Sequence, residues 1–175
     1  MRPEFKYGLI IGGGVCLWRA AGYGLGFHTT HVQVGGYSDY CSLIIPAVAL
    51  YLLLRQKQAA RPGNRLGVRE GMAAGLFTSF LAAVIVYCFL IGYSQFINPG
   101  WLDSVLDWKV ARWRAQDMPE TDIRRQITLY RQARSPLGLI ATTVAGPTLV
   151  GGLFSAGLTL LIRRGQSGPA SRGPS

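Results

Sequence analysis

Two long stretches of the chain carry no charged residue at all, residues 71–102 and 135–162. Between them lies a polar stretch, residues 98–136, in which charges and aromatic residues are interleaved. Elsewhere too the apolar residues come in blocks rather than in amphipathic alternation, which is the pattern of a membrane protein. A helix of about 20 apolar residues crosses a bilayer. On that measure the pattern predicts spans at about residues 5–27, 40–54, 71–97 and 136–162. The expected fold is therefore all-α, a single domain over residues 1–164 with four transmembrane helices. An extramembrane or interfacial helical hairpin, at about residues 98–135, separates spans three and four. A Gly/Ser/Pro-rich tail over residues 165–175 is expected to be disordered.

Within the first span Gly8, Gly12, Cys16, Ala20 and Gly24 recur at every fourth position, which puts five small side chains on one helical stripe. Gly71 and Gly75 open the third span in the same way, and Thr148, Gly152 and Ala156 form a similar stripe in the fourth. In lipid there is little hydrophobic drive between helices, so close approach through small residues is what holds a bundle together. Pro46 and Pro147 each remove a backbone donor within a span and predict kinks. Gly12-Gly13-Gly14 lacks both the preceding strand and the following Lys-Ser/Thr of a phosphate loop.

Arg19 is the one charge inside a predicted span, and an ionisable group at membrane depth is a functional-site hypothesis by default. Asp39 is the acid nearest the same end of spans one and two, so Arg19 and Asp39 form a candidate intramembrane ion pair; a snorkelling Arg19 is the alternative. In the polar stretch, Asn98-Pro99 reads as a helix start, and Trp101, Trp108 and Trp113 lie among Lys109, Arg112 and Arg114 as in an interfacial helix. Asp117 to Glu120 resembles a capping box that opens a second helix, with Ile123, Ile127 and Tyr130 on one face.

Composition agrees with a membrane setting: of 175 residues 49% are apolar and 15% charged, against about 25% charged in soluble domains. The net charge of +10 does not point to nucleic acid, because the basic residues flank apolar spans and no reader motif accompanies them. Ten basic residues lie toward the two termini and the 55–70 connection, against seven in the 98–136 insert, which favours cytoplasmic termini. The lipid bilayer is the expected partner, with a membrane protein or a second copy of the chain beside it. Cys16, Cys41 and Cys88 have no regular spacing and read as packing residues. His28 and His31, with Asp39 and Cys41 nearby, are too loosely spaced for a metal site, and no cofactor is expected.

The order of these features resembles a known family. Ile45-Pro46 falls in the second span, the third runs into Phe96-Ile97-Asn98-Pro99, Met118-Pro119-Glu120 sits in the hairpin, and Ser135-Pro136 opens the last span. This is similar to the bacterial membrane family of domain of unknown function four-one-nine-nine, over about residues 5–164. The resemblance implies four membrane helices, an inner-membrane location and no assigned activity, and it carries over no catalytic residues. The expected function is a non-catalytic accessory or scaffold subunit. A small oligomeric transporter or channel with Arg19 near its path is the second reading, and a membrane enzyme acting on lipid-linked substrates the third.

Overall fold

A computed structural model describes residues 1–25, 40–61, 63, 65–97 and 99–164. Its described residues contain helices and no strand. Helix α1 is Pro3–Gly24, α2 is Ile44–Ala59, and α3 is Val68–Gly92, continued by a π-helical turn at Tyr93–Ile97. Helices α4 (Trp101–Ala115) and α5 (Glu120–Ala133) form the hairpin. The short α6 (Pro136–Leu139) then leads through a π-helical segment, Ile140–Ala145, into α7 (Gly146–Arg164). Two of these helical stretches, Val68–Ile97 and Leu137–Arg163, are long and apolar enough to cross a membrane.

Helices α1, α2, α3 and α7 pack as an up-down-up-down bundle whose register is readable from its glycines. Gly8 and Gly12 of α1 lie against Leu81 and Ile85 of α3, the same offset of 73 at both, so these helices run parallel. Gly14 lies against Ile45, and Glu4 pairs with Lys57, so α1 and α2 run antiparallel. Along α3 and α7, Gly71 meets Thr159, Gly75 meets Ser155 and Ser79 meets Gly151, again antiparallel. Each contact sets a hydrogen-only position against a small hydroxyl side chain, which lets the two backbones approach closely. Thr159 satisfies its own hydroxyl within the helix by donating to the Ser155 carbonyl at 2.7 Å.

The interior of this bundle is small and partly polar, while its outside is large and apolar. Thr78, Ser79, Ser155 and Thr159 are buried together with Gly71, Ala74, Gly75, Ala82 and Ala83 of α3. Leu50, Leu53 and Leu54 of α2 supply the bulk in the core. Leu9, Ile10 and Leu17 of α1, Val48 and Leu52 of α2, Phe77 and Phe80 of α3, and Leu149, Leu153 and Leu161 of α7 all face outward.

Several local expectations are corrected by this geometry. Pro46 produces no mid-span kink, because α2 begins at Ile44 and places it in the first turn, where a missing N–H costs nothing. The same helix continues to Ala59, so Arg55 and Lys57 are helical and the connection is shorter than residues 55–70. Helix α4 starts at Trp101 after Gly100, with Pro99 in the preceding turn; Asn98 lies outside the described residues. Asp117 caps no helix start. It ends α4 in a left-handed conformation (φ 55°), its N–H bonded to the Arg114 carbonyl and that of Met118 to the Trp113 carbonyl, the Schellman pattern. Helix α5 begins at Glu120 after Pro119, and the Glu120 carboxylate accepts from Arg114 Nε at 2.8 Å instead of turning back to a cap. The π segment at Ile140–Ala145 sits just ahead of Pro147, where a widened turn accommodates a residue that cannot donate to Thr143.

Candidate binding cavity

One end of the bundle gathers charge. Lys57 of α2 pairs with Glu4 of α1 and lies 3.8 Å from Glu70 of α3, which also accepts from Arg61. This cluster ties the first turn of α1, the last turn of α2 and the first turn of α3 together. Burial pushes the Glu4 carboxyl up, but the hydrogen bond and charge of Lys57, a backbone hydrogen bond and the charge of Arg2 outweigh it and hold the group below the usual carboxylate range. The cluster is a structural clasp, with each acid answered by a base.

The other end is built differently. The α1–α3 offset of 73 brings Arg19 level with Gly92, the last residue of α3. Antiparallel packing brings the start of α2, with buried Ser42, and the π segment carrying Thr142 and Thr143 to this same end. Arg134 arrives from the hairpin, where it closes α5. It donates to the Tyr130 hydroxyl at 3.5 Å and lies over that ring at 5.4 Å. Lys109 of α4 sits 5.3 Å from the same ring and 6.0 Å from that of Trp113, so cation–π contacts tie the two hairpin helices to the arginine. Ser135 accepts from the Gly138 N–H at 3.2 Å and caps the turn into α6. At Gly138 a side chain would run into the Ala133 backbone, with the carbonyl carbon at 2.8 Å, so the approach of α5 to α6 requires glycine.

These groups line a cavity of about 700 Å³ between α1, α2, α3 and α7. Arg19, Ser42, Arg134, Thr142 and Thr143 give it a polar end, and Leu50, Ala82, Val86 and Val150 are among its apolar walls. None of its described lining residues is acidic. Leu43 (61% exposed) on the α2 side and Val150 (66%) and Phe154 (43%) on α7 line the cavity and face the surroundings at once. It is therefore open sideways between α2 and α7, through apolar side chains. Toward the charged clasp it closes: Leu53, Leu54, Thr78 and Ser155 are completely buried.

Of the residues singled out in the sequence, Arg19 lines this cavity. Asp39, His28 and His31, and the tail over residues 165–175, lie outside the described residues. In the first-span stripe Gly8 and Gly12 pack against α3, Cys16 is half-buried, Ala20 is exposed, and around Gly24 there is open space. Trp108 and Trp113 are half-buried in α4, Arg112 lying 5.5 Å over the Trp108 ring; Trp101 opens the helix. The α7 stripe set face to face with the small residues of α3 is Gly151, Ser155 and Thr159; of the predicted Thr148, Gly152 and Ala156, Gly152 also packs on α3, against Leu76. The four-residue spacing of Gly151, Ser155 and Thr159 was available in the sequence. Arg134, Ser42, Thr142 and Thr143 were not singled out, and their only sequence signal is that polar side chains persist at the edges of charge-free blocks. Among the described residues no three His, Cys, Asp or Glu side chains come together to hold a metal ion.

A family model described as Protein of unknown function (DUF4199) matches residues 6–164, nearly the whole chain. No curated protein and no solved structure matches it.

Proposed function

The chain belongs to that family of unknown function, and from this premise we propose that it is a four-span integral membrane protein serving as a non-catalytic accessory or scaffold subunit. The observation that carries the membrane reading is the inverted polarity of the bundle. All four long helices turn large apolar side chains outward; α3 and α7 turn mostly small or hydroxyl-bearing ones inward, while α2 buries Leu50, Leu53 and Leu54. In water each such outward Leu or Phe forgoes about 1.5–3 kcal/mol of burial, whereas in lipid it forgoes none. Helix α1 extends about 33 Å, the thickness of a hydrocarbon core, for its 22 residues. Its Glu4 and Lys6 fall at one end and Arg19 near the other. The excess of basic residues over the termini and the 55–70 connection together, ten against seven in the hairpin, supports cytoplasmic termini in a bacterial inner membrane, with the hairpin on the far side. The hairpin, polar and joined across its turn by the Arg114–Glu120 pair, supports the scaffold reading as a surface for a protein partner or a second copy.

The test has two stages. Alkaline carbonate should leave the protein in the membrane pellet, and its release would end the membrane reading. In intact cells, with Cys16, Cys41 and Cys88 replaced by serine, a maleimide that cannot cross membranes should label Ser104→Cys, on the hairpin, and spare Arg61→Cys; the reverse pattern would invert the orientation. Crosslinking from Ser104→Cys should then capture a stoichiometric membrane partner or a second copy, and failure to capture either would remove the scaffold role. A transporter is the second reading, favoured by Arg19 and Pro147 lining the same cavity. It ranks below because the bundle is closed at Leu53, Leu54, Thr78 and Ser155. Solute uptake into proteoliposomes, abolished by Arg19→Ala, would reverse that order.

A further inference from the structure

We propose that the charged face of the α4–α5 hairpin is a two-fold contact with a second copy of this chain, in which the acids of each α4 meet the arginines of the other copy's α5. The inference rests on the scaffold reading and names its partner. Asp103, Asp107 and Arg114 stand at i, i+4 and i+11 on α4, and Glu120, Arg124 and Arg131 repeat that spacing on α5. Such a spacing keeps each set on one stripe of its helix. All six side chains are exposed. The stripes share one face, because Arg114 bonds Glu120 at 2.8 Å and Arg131 lies 3.9 Å from Asp103. Elsewhere in the hairpin Lys109, Trp113, Tyr130 and Arg134 are held together by cation–π contacts, and Arg134 borders the bundle cavity. The charged face is therefore the one that the chain leaves uncovered.

The order of the charges selects the occupant. The Arg114–Glu120 and Asp103–Arg131 pairs fix the antiparallel register of the hairpin. Read in that register from the open end toward the turn, α4 presents acid, acid, base and α5 presents base, base, acid. Two such faces related by a two-fold axis parallel to the hairpin set each α4 on the other copy's α5, acid on base along the whole length. Asp107 and Arg124 carry the argument, because neither is in an ion pair among the described residues. Asp107 is level with Ile127, so the other copy's Arg124 comes within one helical turn of it. Three acids and three arginines leave the face without net charge, so a uniformly anionic lipid surface gains no attraction from it. What it fits is the opposite pattern, which a second copy presents by symmetry. Exposed ion pairs are individually weak, but chains confined to one bilayer meet at high effective concentration, and the charges then set orientation.

Full-length chains carrying a donor or an acceptor dye on a C-terminal tag, reconstituted together in proteoliposomes, provide the test. Energy transfer should report a dimer that weakens as salt rises. Asp107→Arg alone and Arg124→Asp alone each set like charges face to face, twice in a symmetric dimer. Each should weaken association about tenfold or more, with the helical circular-dichroism spectrum retained. Mixed in one vesicle, the two variants should pair with each other at wild-type strength, since in that heterodimer each arginine again meets an aspartate. The chain carrying both substitutions should dimerise as the wild type does. A monomer at every chain-to-lipid ratio, wild-type transfer in both single variants, or no recovery in the mixture would each overturn the proposal. A chain that fails here while Ser104→Cys crosslinks a different membrane protein loses the second copy and keeps the scaffold reading; one that also captures nothing loses both.

Discussion

Substituting Gly75 with alanine isolates the contact between α3 and α7. In an ordinary helix the change is favourable, since glycine costs about 0.5–1 kcal/mol relative to alanine. Gly75 is not in an ordinary place. A Cβ there would overlap the Ser155 side chain and approach the Gly151 carbonyl oxygen to 3.0 Å. The Ser155 Cβ is fixed to its backbone and cannot rotate away, so α7 must move as a body. That movement would also disturb the Gly71–Thr159 and Ser79–Gly151 contacts on either side. Overpacking of this kind costs about 1–3 kcal/mol, enough to outweigh the helix-propensity gain. Gly75→Ala should therefore lower the Tm in detergent by a few degrees, at about 2–4 °C per kcal/mol for a chain of this size. Gly13→Ala is the control: nothing lies within 4 Å of its added methyl group, and it should raise the Tm. Adding Ser155→Gly to Gly75→Ala should restore most of the loss, because the overlapping side chain is then gone. If Gly75→Ala stabilises the protein as Gly13→Ala does, the close α3–α7 contact is refuted.

Three further expectations concern the clasps. Asp117 has a positive φ, so Asp117→Gly should be neutral or stabilising and Asp117→Val destabilising by about 1–2 kcal/mol, read from thermal unfolding. Lys57→Ala strands Glu4, whose side chain is only 15% exposed, and should destabilise by about 1–3 kcal/mol; adding Glu4→Gln should recover part of it in a double-mutant cycle. The hydrogen bond from Arg114 holds the Glu120 carboxyl below its ordinary 4.5, as does the charge of that arginine. A depressed folded-state value means that stabilisation is present above the ordinary value and is lost as pH falls through the lowered one. Amide protection in the hairpin should accordingly fall at acid pH, and Glu120→Gln should remove that step.

The sequence by itself determined the helical class, the position of the polar insert and its division into two helices, and the small-residue character of the helix contacts. Hydropathy and glycine spacing are properties of a segment, and a segment in lipid must satisfy its backbone internally whatever its neighbours do. Arg19 was legible for the same reason, as a charge within an apolar run. Which faces meet is not a local property. The zipper centres on Gly151, Ser155 and Thr159, and of the equally regular Thr148, Gly152 and Ala156, Gly152 packs beside it against Leu76, a rotation of α7 that its own spacing leaves open. Pro46 lost its kink because α2 begins only two residues before it. The cavity belongs wholly to the tertiary level: Arg134 is separated from Arg19 by most of the chain, and only antiparallel packing and the return of the hairpin bring both to one wall.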